Sequence, residues 1–93
     1  MFTIPKTNVI ESSDGFSVEV LGRTGIRYVD HGRVIKIDSE VLAGPSGLVL
    51  YTDSIRKWMA PHESECVDES VRRQIIENVR EAFRFRGLEI QVL

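Results

Sequence analysis

Cysteine is almost absent. Cys66 stands alone, so no internal disulfide can form and stability must come from an apolar core. That usage fits a reducing compartment, and a cytoplasmic location is expected. No apolar run approaches the ~20 residues of a membrane-spanning helix. The opening Met1-Phe2-Thr3-Ile4-Pro5-Lys6 lacks the charged start and the apolar run of roughly 7–15 residues that a signal peptide needs. An unprocessed chain with no membrane partner is therefore expected. An excess of one charge is missing too: 12 Lys and Arg face 14 Asp and Glu, a net charge of −2. Nucleic-acid binding rests largely on neutralising phosphates, so none is expected here. A phosphate-cradling loop is also lacking. Gly44-Pro45-Ser46-Gly47 has the glycines but neither the Gly-Lys-Ser/Thr ending nor a helix directly after it, so it reads as a turn.

What is present is a globular balance, with 42% hydrophobic and 28% charged residues, unlike the apolar-poor composition of disordered chains. The 93 residues read as one domain, 1–93, burying somewhat over ~60% of the surface of the unfolded chain. Segments 8–12 and 16–21 flank Asp14-Gly15, which predicts a hairpin closed by a two-residue type I′ turn. Phe16, Val18 and Val20 then face the core while Ser17 and Glu19 face out. Gly22-Arg23-Thr24-Gly25 supplies the next turn, and segments 26–30 and 33–38 form a second hairpin about His31-Gly32. Residues 43–47 read as a loop, and 48–51 as a fifth short strand.

After Tyr51 the pattern changes. Thr52 or Asp53 is placed to cap a helix of one or two turns, with Ile55 and Trp58 on one face and Pro61 stopping it. A polar connector, 62–66, leads to a long helix capped by Asp68. Val71, Ile75, Ile76, Val79, Ala82, Phe83 and Phe85 share one half of its wheel, with Arg73, Glu77, Arg80, Glu81 and Arg84 opposite. Gly87 suits the position just past the helix, and 88–92 alternates as a final strand whose separation by the helix predicts a parallel return beside an earlier one. The expected class is α+β: a mostly antiparallel meander sheet of about five to six strands, with one long C-terminal amphipathic helix and a short helix packed on it.

Candidate chemistry is thin. His62-Glu63-Ser64-Glu65-Cys66 groups imidazole, carboxylate and thiol, types that ligate zinc, but it sits in a loop without a second Cys or His pair. It reads as a solvated, acidic approach to the helix; no metal or cofactor is expected. Cys66 with His31 or His62 would make a thiolate–imidazole pair only if folding joined them. Trp58 reads either as a core plug or as an exposed anchor, and both remain open.

Tyr51-x-x-Ser54-Ile55-x-Lys57-Trp58-x-x-Pro61, then Ile75-Ile76-x-Asn78-Val79 and a terminal Leu88-Glu89-Ile90, resembles the immunity protein 74 family of bacterial polymorphic-toxin systems. Residues 37–42 and 47–50 are similar to the same family, and the resemblance covers about residues 30–92. It implies a small α+β cytoplasmic protein, encoded beside a toxin, that protects the producing cell by binding that toxin without catalysis. No contact residue follows from the resemblance. Beside it, the densest run of acids suggests where a basic toxin, such as a nuclease, would dock: Asp53, Glu63, Glu65, Asp68 and Glu69, with Lys57 and Tyr51 or Trp58 contributing. The alternatives are a homodimeric regulatory or structural protein, and a small Cys/His-dependent enzyme built on Cys66.

Overall fold

A computed structural model describes residues 1–22, 24–41 and 47–93. Seven strands form one curled sheet in chain order. They are β1 (Phe2–Lys6), β2 (Val9–Ser12), β3 (Phe16–Val20), β4 (Gly25–Asp30), β5 (Arg33–Val41), β6 (Leu48–Leu50) and β7 (Ile90–Val92). All neighbours pair antiparallel except β6 and β7, where Leu48 lies beside Ile90 and the strands run parallel. The helix α1 (Glu69–Phe85) supplies the long crossover that a parallel pair requires. No described helix is long and apolar enough to cross a membrane.

Strand β5 makes the curl. Its first part pairs with β4, from Asp30↔Arg33 to Gly25↔Asp38, whereas Ser39, Glu40 and Val41 pair with β6 on the other side. Ile35, Ile37 and Ser39 point inward and Lys36, Asp38 and Glu40 outward along the whole strand. Expected to stop at Asp38, the strand runs on to Val41. The loop expected at 43–47 lies outside the described residues apart from Gly47, as does Arg23 of the turn before β4.

Three further expectations need correction. Strand β1 was not anticipated: residues 1–7 were read only for a signal peptide. The structure places β1 at the sheet edge, where Pro is tolerated, and its register with β2 shifts between Thr3 and Lys6. The β2–β3 turn is not type I′ at Asp14-Gly15. Its loop has three residues: Ser12 Oγ accepts from Asp14 N (3.0 Å), and only Gly15 has positive φ. The doubly left-handed turn is instead His31-Gly32, at φ +49° and +85°. The His31 ring lies over Gly15, where a Cβ would come within 2.7 Å of its Nε2. The short helix after Tyr51 is a single 3-10 turn, Thr52–Ser54. Neither Thr52 nor Asp53 caps it, because Thr52 donates both its N–H and its hydroxyl to Leu93 O (2.8 Å each).

Helix α1 begins and ends as its residues dictate. Asp68 Oδ1 accepts from Val71 N (2.9 Å) in the N-cap position, and Gly87 takes φ +81° just past the end. Ile75, Val79, Ala82 and Phe83 are buried against the sheet. Phe85, expected on the same face, is 50% exposed and meets only the edge of the core through Phe2. The remainder of this face is covered by residues 55–67, from which Ile55, Trp58 and Val67 enter the same core. Aromatic rings run through it in an unbroken series, Phe85–Phe2–Phe16–Tyr28–Trp58, with centroids 5.4 to 6.5 Å apart. Burial of this apolar surface is the main stabilising term.

Candidate functional site

Tyr51 leaves β6 directly into the 3-10 turn, and Ser54 fastens that turn to the sheet. Its Oγ donates to Tyr51 O (2.6 Å) and accepts from Asp38 N (2.9 Å), at the point where β5 changes partners. Asp53 and Arg56 are thereby left exposed as a ridge with a cleft on either side. One cleft, of about 340 Å³, runs from this ridge to Glu69, Arg72 and Ile76 on α1. The other, of about 370 Å³, runs to Lys36, Asp38 and Tyr51 on the outer sheet face. Arg72 closes the base of the first by donating from Nε to Ile55 O (3.1 Å) and from Nη1 to Glu69 Oε2 (2.8 Å). Both clefts are open to solvent; neither encloses a reaction volume.

Residues 57–66 form a loop beside the ridge, closed by a bridge between Lys57 and Cys66. It turns at Met59–His62, where His62 N donates to Met59 O (3.0 Å) across the cis Ala60–Pro61 bond. Met59 N donates to Val34 O (2.8 Å), which lays the loop along β5. Glu65 then meets two partners, Arg33 Nε (2.7 Å) and His62 Nδ1 (2.6 Å). The Arg33 hydrogen bond, helped by His62, holds the Glu65 carboxyl below the usual carboxylate range.

The residues expected at a partner surface therefore separate. Asp53 and Glu69 face one cleft, but Glu69 is already paired with Arg72 and Arg73. Glu65 is ion-paired with Arg33 and hydrogen-bonded to His62, and Asp68 is committed to capping α1. Trp58 is a core residue, 6% exposed and stacked on Tyr28, so it offers no anchor to a partner. What remains outward and without an ion pair among the described residues is Asp53, Lys57 and Glu63. The sequence reading missed Asp38 and Glu40. Their alternation along β5 sets both on the outer face, and the β5 bend carries Asp38 to Tyr51 and Asp53 and Glu40 to Tyr51. Burial, and then the Glu40 carboxylate hydrogen-bonded to it, push the Tyr51 hydroxyl upward in pKa.

A second polar group runs inward from the surface of α1. Gln74 Nε2 donates to Asn78 Oδ1 (2.9 Å), Asn78 Nδ2 to Tyr28 OH (2.8 Å), and Tyr28 OH to Asp30 Oδ2 (2.7 Å). Burial first, then the neighbouring Asp30, drive the Tyr28 pKa far above its ordinary value, so the phenol stays a neutral donor. The chain of bonds ties α1 to β4 through the core; at 0% exposure Tyr28 is closed to any substrate. Cys66 is exposed on the loop, bridged to Lys57, while His31 lies at the far hairpin tip over Gly15. Among the described residues no three His, Cys, Asp or Glu side chains converge as metal ligands.

The fold is an α+β scaffold with open, mixed-charge clefts on either side of the turn after β6. The chain belongs to the immunity protein 74 family, whose model matches residues 17–92. No curated protein and no solved structure matches it.

Proposed function

We propose that this chain is a cytoplasmic immunity protein that binds a toxin encoded beside it and neutralises it by occlusion, without catalysis. Family membership across residues 17–92 carries the reading. The partner surface is the ridge of Asp53, Arg56 and Lys57, extended by Asp38 across one cleft and Glu63 on the adjoining loop. These groups are exposed, and their backbones are fixed by Ser54, Thr52 and Met59. A fixed surface loses little conformational freedom on binding, and outward carboxylates steer a basic partner such as a nuclease.

Tagged protein purified from cells that also make the inactivated product of the neighbouring toxin gene should carry that product in a one-to-one complex. Co-expression with the active toxin should restore growth. Reversing Asp53→Lys together with Glu63→Lys should slow association several-fold and flatten its salt dependence. An unchanged association rate would remove the ridge from the interface, and absence of both complex and protection would sink the immunity reading.

A further inference from the structure

The end of α1 builds a second, chemically different feature. Gly87 N donates to Arg84 O (2.9 Å) and Leu88 N to Phe83 O (2.9 Å). This paired pattern is the Schellman motif, which folds residue 88 back over residue 83. Phe83 and Leu88 thus form one wall of a groove whose other wall is Ile10 of β2 and Val20 of β3. Ile10 and Phe83 are buried as its floor, while Leu88 is 40% exposed at its lip.

The groove is held open by bonds at its rim. Arg86 Nη1 donates to Thr7 O (2.8 Å), Asn8 Nδ2 to Val20 O (3.2 Å), and Val20 N to Asn8 O (2.9 Å). Its volume is about 220 Å³, below the roughly 300–1,000 Å³ typical of small-molecule sites. It suits one inserted side chain, the form taken by the central anchors of protein interfaces. Among the described residues Arg86 is the one charged side chain lining it, and Lys6 precedes Thr7 at the rim, so its charge calls for a carboxylate beside the inserted group. Ile10 and the rim residues Thr7 and Asn8 precede the part of the chain that the family model matches.

We propose that this groove seats one leucine-, methionine- or phenylalanine-type side chain of the toxin, next to an acidic residue that meets Arg86. The inference rests on the toxin-binding reading above and adds a second contact, at the opposite end of the β6–β7 pair from the ridge.

Affinity for the inactivated toxin is measured for Val20→Phe, which fills the groove, and Leu88→Asp, which sets a like charge against the incoming carboxylate. Each should weaken binding about tenfold or more, and Leu88→Met should stay within about twofold of the unaltered chain. Because Leu88 belongs to the helix cap, thermal unfolding of each variant is recorded alongside. The second measurement follows the methyl NMR signals of Ile10, Val20 and Leu88 during titration with acetyl-Leu-Asp-amide and acetyl-Leu-Lys-amide. Shifts at these methyls, larger with the aspartate peptide, are expected. Toxin binding untouched by folded groove variants overturns the groove while leaving the immunity reading intact. If the unaltered protein binds no toxin, that reading fails instead, and silent methyl signals in the peptide titration overturn the groove separately.

Discussion

Helix α1 and residues 51–67 cover the same face of the sheet by opposite means. The helix does so through a repeating pattern: four buried apolar residues on one stripe, a cap at each end, and charges paired along its outer face. The irregular stretch has three buried residues, Ile55, Trp58 and Val67, and is held by bonds to distant partners: Thr52 to Leu93, Ser54 to Asp38, Met59 to Val34, Glu65 to Arg33. A periodic cover pairs most of its outward charges within itself, though Arg72 and Asn78 reach the stretch beside it and the sheet. A pinned cover ties part of its backbone to the sheet and leaves Asp53, Lys57 and Glu63 facing water, the ground on which a binding surface is proposed there.

The contrast breaks most sharply at Trp58. Replacing Trp58→Ala should cost about 3–5 kcal/mol in urea unfolding, as much as Phe83→Ala in the helix, if both covers belong to one cooperative core. A two-step transition for the tryptophan variant alone would show instead that residues 51–67 unfold independently. Next in size is Tyr28→Phe, which strips the acceptor from Asn78 and the donor from Asp30 at the seam between helix and sheet. A loss of about 1–2 kcal/mol is expected from equilibrium denaturation. Asp68→Ala should cost about 1 kcal/mol by removing the cap of α1, and circular dichroism should report the loss without altering contacts of the loop.

The smallest effect belongs to the Glu65 corner and sharpens the comparison through pH. A carboxyl held below its unfolded value adds stability above the ordinary carboxylate range, and that contribution fades as pH falls through the lowered folded value. Glu65→Gln should therefore flatten the acid limb of a stability–pH curve and leave the neutral slope nearly unchanged. An unaltered acid limb would mean that the Arg33 pairing adds nothing in solution.

Regular elements were legible because their signals are local. The spacing of Ile75, Val79 and Phe83, the cap at Asp68 and the stop at Gly87 all fall within one continuous segment, and the parallel return of the last strand followed from the helix before it. His31-Gly32 marked its turn for the same reason. The candidate surface was legible only in part, since a cluster of acids in sequence says nothing about which of them the fold consumes. Arg33 lies 32 positions from Glu65, and no local pattern announces that the pair will form. Asp38 and Glu40 were hidden for the converse reason: they alternate as ordinary outward strand residues, and only the β5 bend carries them to Tyr51. Strand β1 was missed because residues 1–6 lack a clean alternation, and their pairing at the sheet edge is decided by the sheet as a whole.

The parallel pairing of β6 and β7 also sets a schedule. Leu48 waits for Ile90, made about forty positions later, and the end of β7 must then receive the N–H and hydroxyl of Thr52. Pairings across so long a stretch of chain form slowly. During synthesis at about 5–20 residues per second, the β1–β5 meander can assemble and Ser54 can fasten the turn to Asp38 before α1 has folded, but the Thr52 bonds to Leu93 form only once residue 93 has emerged. The side of the turn that faces β7 is therefore among the last parts of the sheet to be fixed.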